Sequence, residues 1–164
     1  MKKEFEIRKA KLKDIPELVV LRNEFELFYK KLDKSKFNPC HSRKKNLDNF
    51  LKKSFRKEIN SKKTQILVAE VEGRIVGCTQ SKFDKSEEDF KSKNFGKIIS
   101  IYINKKYRGI GISSQFKKNI FDWFSQNKVT WISLDVHRKN HFAHDLYKRW
   151  GFGDFEIKMF KKLK

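Results

Sequence analysis

The segment Tyr107-Arg108-Gly109-Ile110-Gly111-Ile112-Ser113-Ser114 lies between a β-branched run, Ile98 to Ile103, and an amphipathic stretch, Gln115 to Phe124. No other feature constrains the fold of this chain as much. A strand that turns through two glycines straight into a helix aims several backbone N–H groups at one point, and that point suits a phosphate. The segment predicts strand, tight turn and helix in immediate succession, with an anion site at their junction.

Gly-x-Gly alone also serves as a helix entry with close packing, so the surrounding residues decide its meaning. No Gly-Lys-Ser/Thr follows it, which argues against a P-loop. A third glycine and a suitably placed acidic residue are missing, which argues against a dinucleotide fold. ATP and NAD are therefore disfavoured as owners of the phosphate.

The rest of the chain supplies alternating elements. Glu4 to Ala10 reads as a strand, and Asp14 followed by Pro16 reads as a helix start, with Leu18, Leu21, Phe25 and Phe28 as its apolar stripe to about Leu32-Asp33. Lys34 to Lys45, containing Pro39, reads as a loop. Asn46 to Ile59 reads as a second helix through Leu47, Phe50, Leu51 and Phe55. Gln65 to Val71 and Arg74 to Phe83 form a hairpin about Glu72-Gly73. Asp84 to Asn94 is an exposed loop and Gly96 to Ile103 the next strand. A helix to about Ser125, a strand from Val129 to Val136, a helix from Asn140 to Trp150 and a final strand pair near Phe152 to Leu163 complete the order. No linker or repeat interrupts it, so residues 1–164 are expected to form a single mixed α/β domain.

Charge and cysteine content narrow the partners. The 164 residues include 40 Lys and Arg against 20 Asp and Glu, a formal charge of +20. That excess favours anionic partners in general, but the lysines are scattered instead of forming a block, as on a solvated surface. Cys40 and Cys78 stand far apart, so neither a zinc site nor a disulfide framework is indicated. The N-terminus lacks the apolar core of a signal peptide and no run approaches the length of a membrane span. A soluble, cytoplasmic protein is the expectation.

A second segment gives the glycine turn its owner. Asn140, Ala143, Leu146, Tyr147, Gly151 and Phe152 follow Leu134-Asp135-Val136, and together with Arg108-Gly109-Ile110-Gly111-Ile112-Ser113 they resemble the GNAT superfamily of acyl-CoA-dependent N-acyltransferases. That family carries Arg/Gln-x-x-Gly-x-Gly/Ala after its fourth strand and Asn-x-x-Ala-x-x-Leu-Tyr before Gly-Phe. Ser113 stands where the family has Gly or Ala. Ile7 to Ala10 with Asp14-Ile15, and Val68 to Gly77, extend the likeness over nearly the whole chain. The resemblance implies a mostly antiparallel sheet of six to seven strands, four flanking helices and a splay between strands four and five.

It also implies a function and a site. The function is transfer of the acetyl group of acetyl-CoA to a primary amine, by direct attack in a ternary complex. The main-chain N–H groups of Gly109, Ile110, Gly111, Ile112, Ser113 and Ser114 would hold the CoA pyrophosphate, with Arg108 beside it. Main-chain groups of Tyr102 and Ile103 would pair with the pantetheine arm, and the Ile103 N–H would stabilise the oxyanion. Asn140 would contact the cofactor, although as a helix N-cap it has a second reading. Tyr147 would protonate the departing thiolate. The acceptor is a small-molecule or protein amine, its pocket expected near Phe25 to Phe37, Phe83 to Phe95 and Gly153 to Glu156. Free polyamines are mildly disfavoured by the positive charge, unless Glu24, Glu26 or Asp33 serves the pocket.

One departure concerns the general base. Family members often carry Glu or Asp in the fourth strand, and Lys97-Ile98-Ile99-Ser100-Ile101-Tyr102 has none. Asp135, a water chain to another carboxylate, or an acceptor of low pKa are the alternatives. His137, His141 and His144 are read as non-metal residues, and Cys40-His41 as a loop. A homodimer is common in the family, but no segment identifies an interface. The competing function is a non-catalytic module of the same fold using its basic surface on nucleic acid or acidic protein. It is disfavoured because Arg108, Gly111 and Tyr147 are all kept and no nucleic-acid motif is present.

Overall fold

The computed structural model describes residues 4–35, 38, 47–85 and 94–161. Its elements are β1 (Glu6–Lys9), α1 (Ile15–Leu32), α2 (Asp48–Ile59), β2 (Thr64–Val71), β3 (Arg74–Lys85), β4 (Asn94–Ile103), α3 (Ile112–Gln126), β5 (Trp131–Leu134) and α4 (His141–Arg149). Short 3-10 turns at Leu12–Asp14 and Lys105–Tyr107 lead into α1 and the glycine turn. The five strands lie in sequence order, β1-β2-β3-β4-β5, antiparallel except for the parallel pair β4 and β5. Among the described residues no helix is long and apolar enough to cross a membrane.

Each face of the sheet has its own core. On one, Ile15, Leu18, Val19 and Leu21 of α1 and Phe55 of α2 pack on Ile66, Val68 and Ile75. On the other, Ile112, Phe116, Ile120 and Phe124 recur every four residues along α3 and pack on Leu67, Ala69, Val76 and Ile98. All four α3 residues are no more than 1% exposed. Burying two phenylalanines and two isoleucines this fully is worth about 1.5–3 kcal/mol each, so α3 is the element that anchors the glycine turn to the sheet.

Local chemistry sets the ends of these elements. Glu72 and Gly73 both have positive φ, 51° and 75°, which closes the β2–β3 hairpin with the turn handedness that matches strand twist. Pro16 sits in the first turn of α1 as its sequence suggests. Asp14, in contrast, does not cap that helix. Its carboxylate accepts the Lys11 amide at 2.7 Å and the Arg8 guanidinium at 2.7 and 3.1 Å, because the strand-borne arginine is a stronger partner than a helix amide.

The expected final strand pair is not formed over residues 152–161, so the described sheet has five strands instead of six or seven; residues 162–163 lie outside the described part, as do most of the loops expected at 34–45 and 84–94. Phe155, Ile157 and Met159 keep a strand-like alternation but are 97%, 89% and 87% exposed. Asp154 is bound by His144 Nε2 at 2.7 Å and Lys148 Nζ at 2.9 Å, which ties the start of this segment to α4. A strand needs a ladder partner, and alternation alone does not provide one.

Candidate functional site

Strands β4 and β5 pair only from Phe95↔Trp131 to Ile98↔Leu134 and then part. The cause is visible in the opposite ladder. On β3, Ser81 faces Ile98 and Gln80 faces Ser100, so Ile99 is an extra residue, a bulge that turns β4 away just where its pairing with β5 stops. The resulting cleft has about 1050 Å³ of empty space including its mouth, and β4, α3, α4 and α1 contribute to its walls.

Strand alternation decides which main-chain groups reach the cleft. The Asn104 amide donates to Val76 O at 2.9 Å, and no register shift lies between that bond and Ile101. Residues 104 and 102 are therefore the hydrogen-bonded positions opposite β3, while Ile101 and Ile103 turn their N–H and C=O groups to the other side, where β5 has left. Tyr102 thus spends its main chain on β3 and offers the cleft its side chain. Gly77 lies opposite Ile103, and a Cβ there would come within 2.9 Å of Tyr102 O and 3.3 Å of Ile103 Cγ1. The close approach of the two strands depends on the missing side chain.

The glycine turn follows. Gly109 and Gly111 have φ of +82° and +101°, a region L residues rarely enter, and a Cβ on Gly109 would meet nothing within 4 Å. The first amide bonded into α3 from its N-terminal side is Gln115, which donates to Gly111 O at 3.2 Å. The amides of Ile112, Ser113 and Ser114 are then the first-turn groups without an intrahelical acceptor. No acidic side chain stands in that turn, and Lys105, Lys106 and Arg108 precede it. Unhindered backbone, unspent amides and positive charge form a cradle that fits a diphosphate. Arg108 Nε donates to Ile103 O at 2.9 Å, so its guanidinium is held at the cleft mouth beside β4.

Helix α4 forms the facing wall with Asn140, Phe142, Ala143, Leu146 and Tyr147. Asn140 is the N-cap, its side-chain oxygen accepting the Ala143 amide at 3.4 Å, and it also lines the cleft. The Tyr147 ring packs against Trp150 and Phe152 at 5.5 and 6.1 Å. Burial, and secondarily Tyr29, push the Tyr147 phenol up to about 12. It stays protonated throughout the working pH range and is available as a proton donor.

The α1 wall is aromatic, built from Phe25, Phe28 and Tyr29. It is tied to the β5–α4 connection through Asp33, which meets Lys139 Nζ at 2.8 Å and His137 Nε2 at 3.3 Å. The Lys139 ammonium, followed by the Ser35 amide, holds the Asp33 carboxyl well below the usual range. His137 accepts the Lys139 amide on Nδ1 at 3.2 Å, so both its nitrogens are occupied in holding the wall. Of the expected acceptor regions, Phe25, Phe28 and Tyr29 line the cleft, whereas Gly153 to Glu156 does not. Phe83 does not: it packs on Trp123 of α3, ring centroids 5.3 Å apart, because its strand position faces the α3 core. Asp135 lines the cleft with its carboxylate on Lys97 Nζ at 2.7 Å.

A contact that sequence reading did not foresee joins α1 to β4. Tyr102 Oη donates to Glu24 Oε2 at 2.9 Å, and Asn104 Nδ2 reaches the same oxygen at 3.4 Å. Seventy-eight residues separate Glu24 from Tyr102, and no local pattern signals such a pair.

Comparison with known proteins agrees with the fold. The acetyltransferase (GNAT) family model matches residues 26–152. An uncharacterized N-acetyltransferase of Methanocaldococcus jannaschii is 32% identical over 91 residues; the match covers 55% of this chain and about half, 53%, of that relative. Among solved structures, a predicted acetyltransferase from Clostridium acetobutylicum, crystallised with acetyl-CoA, superposes with a TM-score of 0.77 at 20% identity, over 97% of this chain and 96% of its own. An aminoglycoside 6′-N-acetyltransferase from Acinetobacter baumannii gives a TM-score of 0.73 at 14% identity, over 98% of this chain and 99% of its own. At these identities the two structures speak for the fold.

Proposed function

The chain belongs to the GNAT acetyltransferase family, and from that premise we propose that it is an N-acetyltransferase that moves the acetyl group of acetyl-CoA, the family's cosubstrate, to a primary amine within a ternary complex. The observation that carries the reading is the convergence on one cleft of three unspent resources: the outward main-chain groups of Ile101 with the Ile103 N–H, the first-turn amides of α3, and the Tyr147 phenol.

Each has a task. Acetyl-CoA brings an acyl carbon activated as a thioester. The amides from Gly109 to Ser114 hold its diphosphate at the positive end of α3, with Arg108 beside them. The edge of β4 at Ile101 takes a pantetheine amide as an added strand would be taken. The Ile103 N–H donates to the carbonyl oxygen as negative charge gathers there, a contribution typically of about 10²–10³ in rate for one donor. Tyr147 gives its proton to the leaving sulfur. Phe25, Phe28 and Tyr29 receive the apolar part of the amine on the opposite wall, and the amine nitrogen approaches from the Tyr102 side.

The experiment is a thermal-shift titration with acetyl-CoA, followed by thiol-release assays across a panel of primary amines. Stabilisation by acetyl-CoA and amine-dependent release of CoA are expected. A protein that neither binds acetyl-CoA nor releases CoA with any amine would refute the reading.

A further inference from the structure

Direct attack needs a free amine, and an alkylamine is an ammonium ion at neutral pH, so a proton must leave the nitrogen before the acyl carbon can be reached. Strand β4 offers no carboxylate for it. Asp135 is spent on Lys97, Asp33 on Lys139 and His137, and Glu26 on Arg22 at 2.8 Å. His137 has both nitrogens engaged. Glu24 differs from these. Its Oε2 accepts the phenol of Tyr102, the residue preceding Ile103, which lines the cleft and sets its ring against Phe25 of the same wall, centroids 6.0 Å apart.

We infer that Glu24 of α1 is the proton sink of the reaction and that Tyr102 is the relay connecting it to the amine. This rests on the acetyltransferase reading above and assigns its missing base. Tyr102 donates its own hydrogen to Glu24 Oε2, which leaves the phenol oxygen's lone pairs for a donor arriving from the cleft. The ammonium gives one proton to Tyr102 Oη as the Tyr102 proton passes to Glu24, and the freed nitrogen lone pair forms the C–N bond while the C–S bond breaks. The second nitrogen proton, acidified by that bond, leaves to water. Tyr147 protonates the sulfur and is reprotonated from water, and Glu24 returns its proton to solvent. One proton is released per turnover.

The surroundings suit a relay that never ionises fully. Burial first, then the Glu24 hydrogen bond and charge, push the Tyr102 phenol up to about 12, against a downward pull from Arg108. Besides Arg108, the groups found against this pair among the described residues are Cys78 on β3, whose thiol burial raises to about 12, and Asn104, whose Nδ2 donates to Glu24 Oε2 at 3.4 Å. Neither of these two lines the cleft.

The test is the pH dependence of kcat/KM for wild type, Glu24→Gln and Tyr102→Phe, using one alkylamine acceptor and one aniline acceptor. Glutamine keeps an oxygen for the Tyr102 bond, and Tyr102→Phe carries the same prediction should Glu24→Gln fold poorly. With the alkylamine, both variants are expected to lose about 10²–10⁴-fold at neutral pH and to recover about tenfold per pH unit toward the amine's own pKa. With the aniline, already neutral, the loss is expected to be small. The double variant is expected to lose no more than either single one, since the two residues act as a unit. Variants whose profiles run parallel to wild type, or that lose equally with both amines, would overturn the inference while leaving the acetyltransferase reading intact. A wild type without turnover on any amine would overturn both.

Discussion

Replacing Ser114 by Asp should move stability and cofactor affinity in opposite directions. Ser114 is exposed in the first turn of α3, which holds no acidic side chain in a chain of net charge +20. A carboxylate there meets the positive end of a 15-residue helix and is worth about 0.3–1 kcal/mol, or about 1–4 °C in melting temperature for a chain of this size. In the proposed complex the same carboxylate faces the diphosphate. Two negative charges at ~6 Å oppose it by about 1.4 kcal/mol in bulk water and about 5.5 kcal/mol at an effective dielectric of 20, so acetyl-CoA binding weakens by roughly 10- to 10⁴-fold. Thermal melts without ligand and calorimetric titration of acetyl-CoA read the two effects separately. Ser114→Asn, similar in shape but uncharged, should change neither by more than a small fraction. An Asp variant that melts lower, or that keeps wild-type affinity, would refute placement of the phosphate at this helix end.

Other expectations follow from single contacts. Tyr147→Phe keeps the ring contacts with Trp150 and Phe152 and should lower kcat by about 10²–10⁴-fold with an unchanged melting temperature; steady-state kinetics beside a melt checks this. Gly77→Ala forces a methyl group within 2.9 Å of Tyr102 O. It should cost about 1–3 kcal/mol in urea denaturation and depress kcat by shifting Ile103. Burial alone would raise the Asp14 carboxyl, but the Arg8 hydrogen bond and the Lys11 amide outweigh it and leave it lowered. Its contribution is therefore present above the usual carboxylate pKa and lost as pH falls through the depressed value. Asp14→Asn should cost about 1.5–3 kcal/mol at neutral pH and flatten the acid limb of the stability profile; an unchanged acid limb would contradict this.

What the residue order determined on its own is whatever short-range geometry controls. A β-branched run, two glycines and an amphipathic stretch leave few conformations other than strand, turn and helix, so β4, the glycine turn and α3 could be read directly. The Glu72-Gly73 hairpin and the Asn140 cap are local for the same reason. Long-range pairing was not legible. Alternation at Phe155, Ile157 and Met159 suggested a strand, but a ladder needs an edge to pair with, and that is a property of the whole sheet. Phe83 looked like a pocket residue until its strand face turned it into the α3 core. Which main-chain groups of β4 reach the cleft depended on hydrogen-bond phase and on the bulge at Ile99, neither of which leaves a trace in side-chain identity. The contacts from Glu24 to Tyr102 and from Asp33 to Lys139 span 78 and 106 residues. Only packing of α1 across the sheet brings those groups together, so the sequence determined the elements that carry the proposed donor end of the site and the tertiary structure decided its proposed acceptor end.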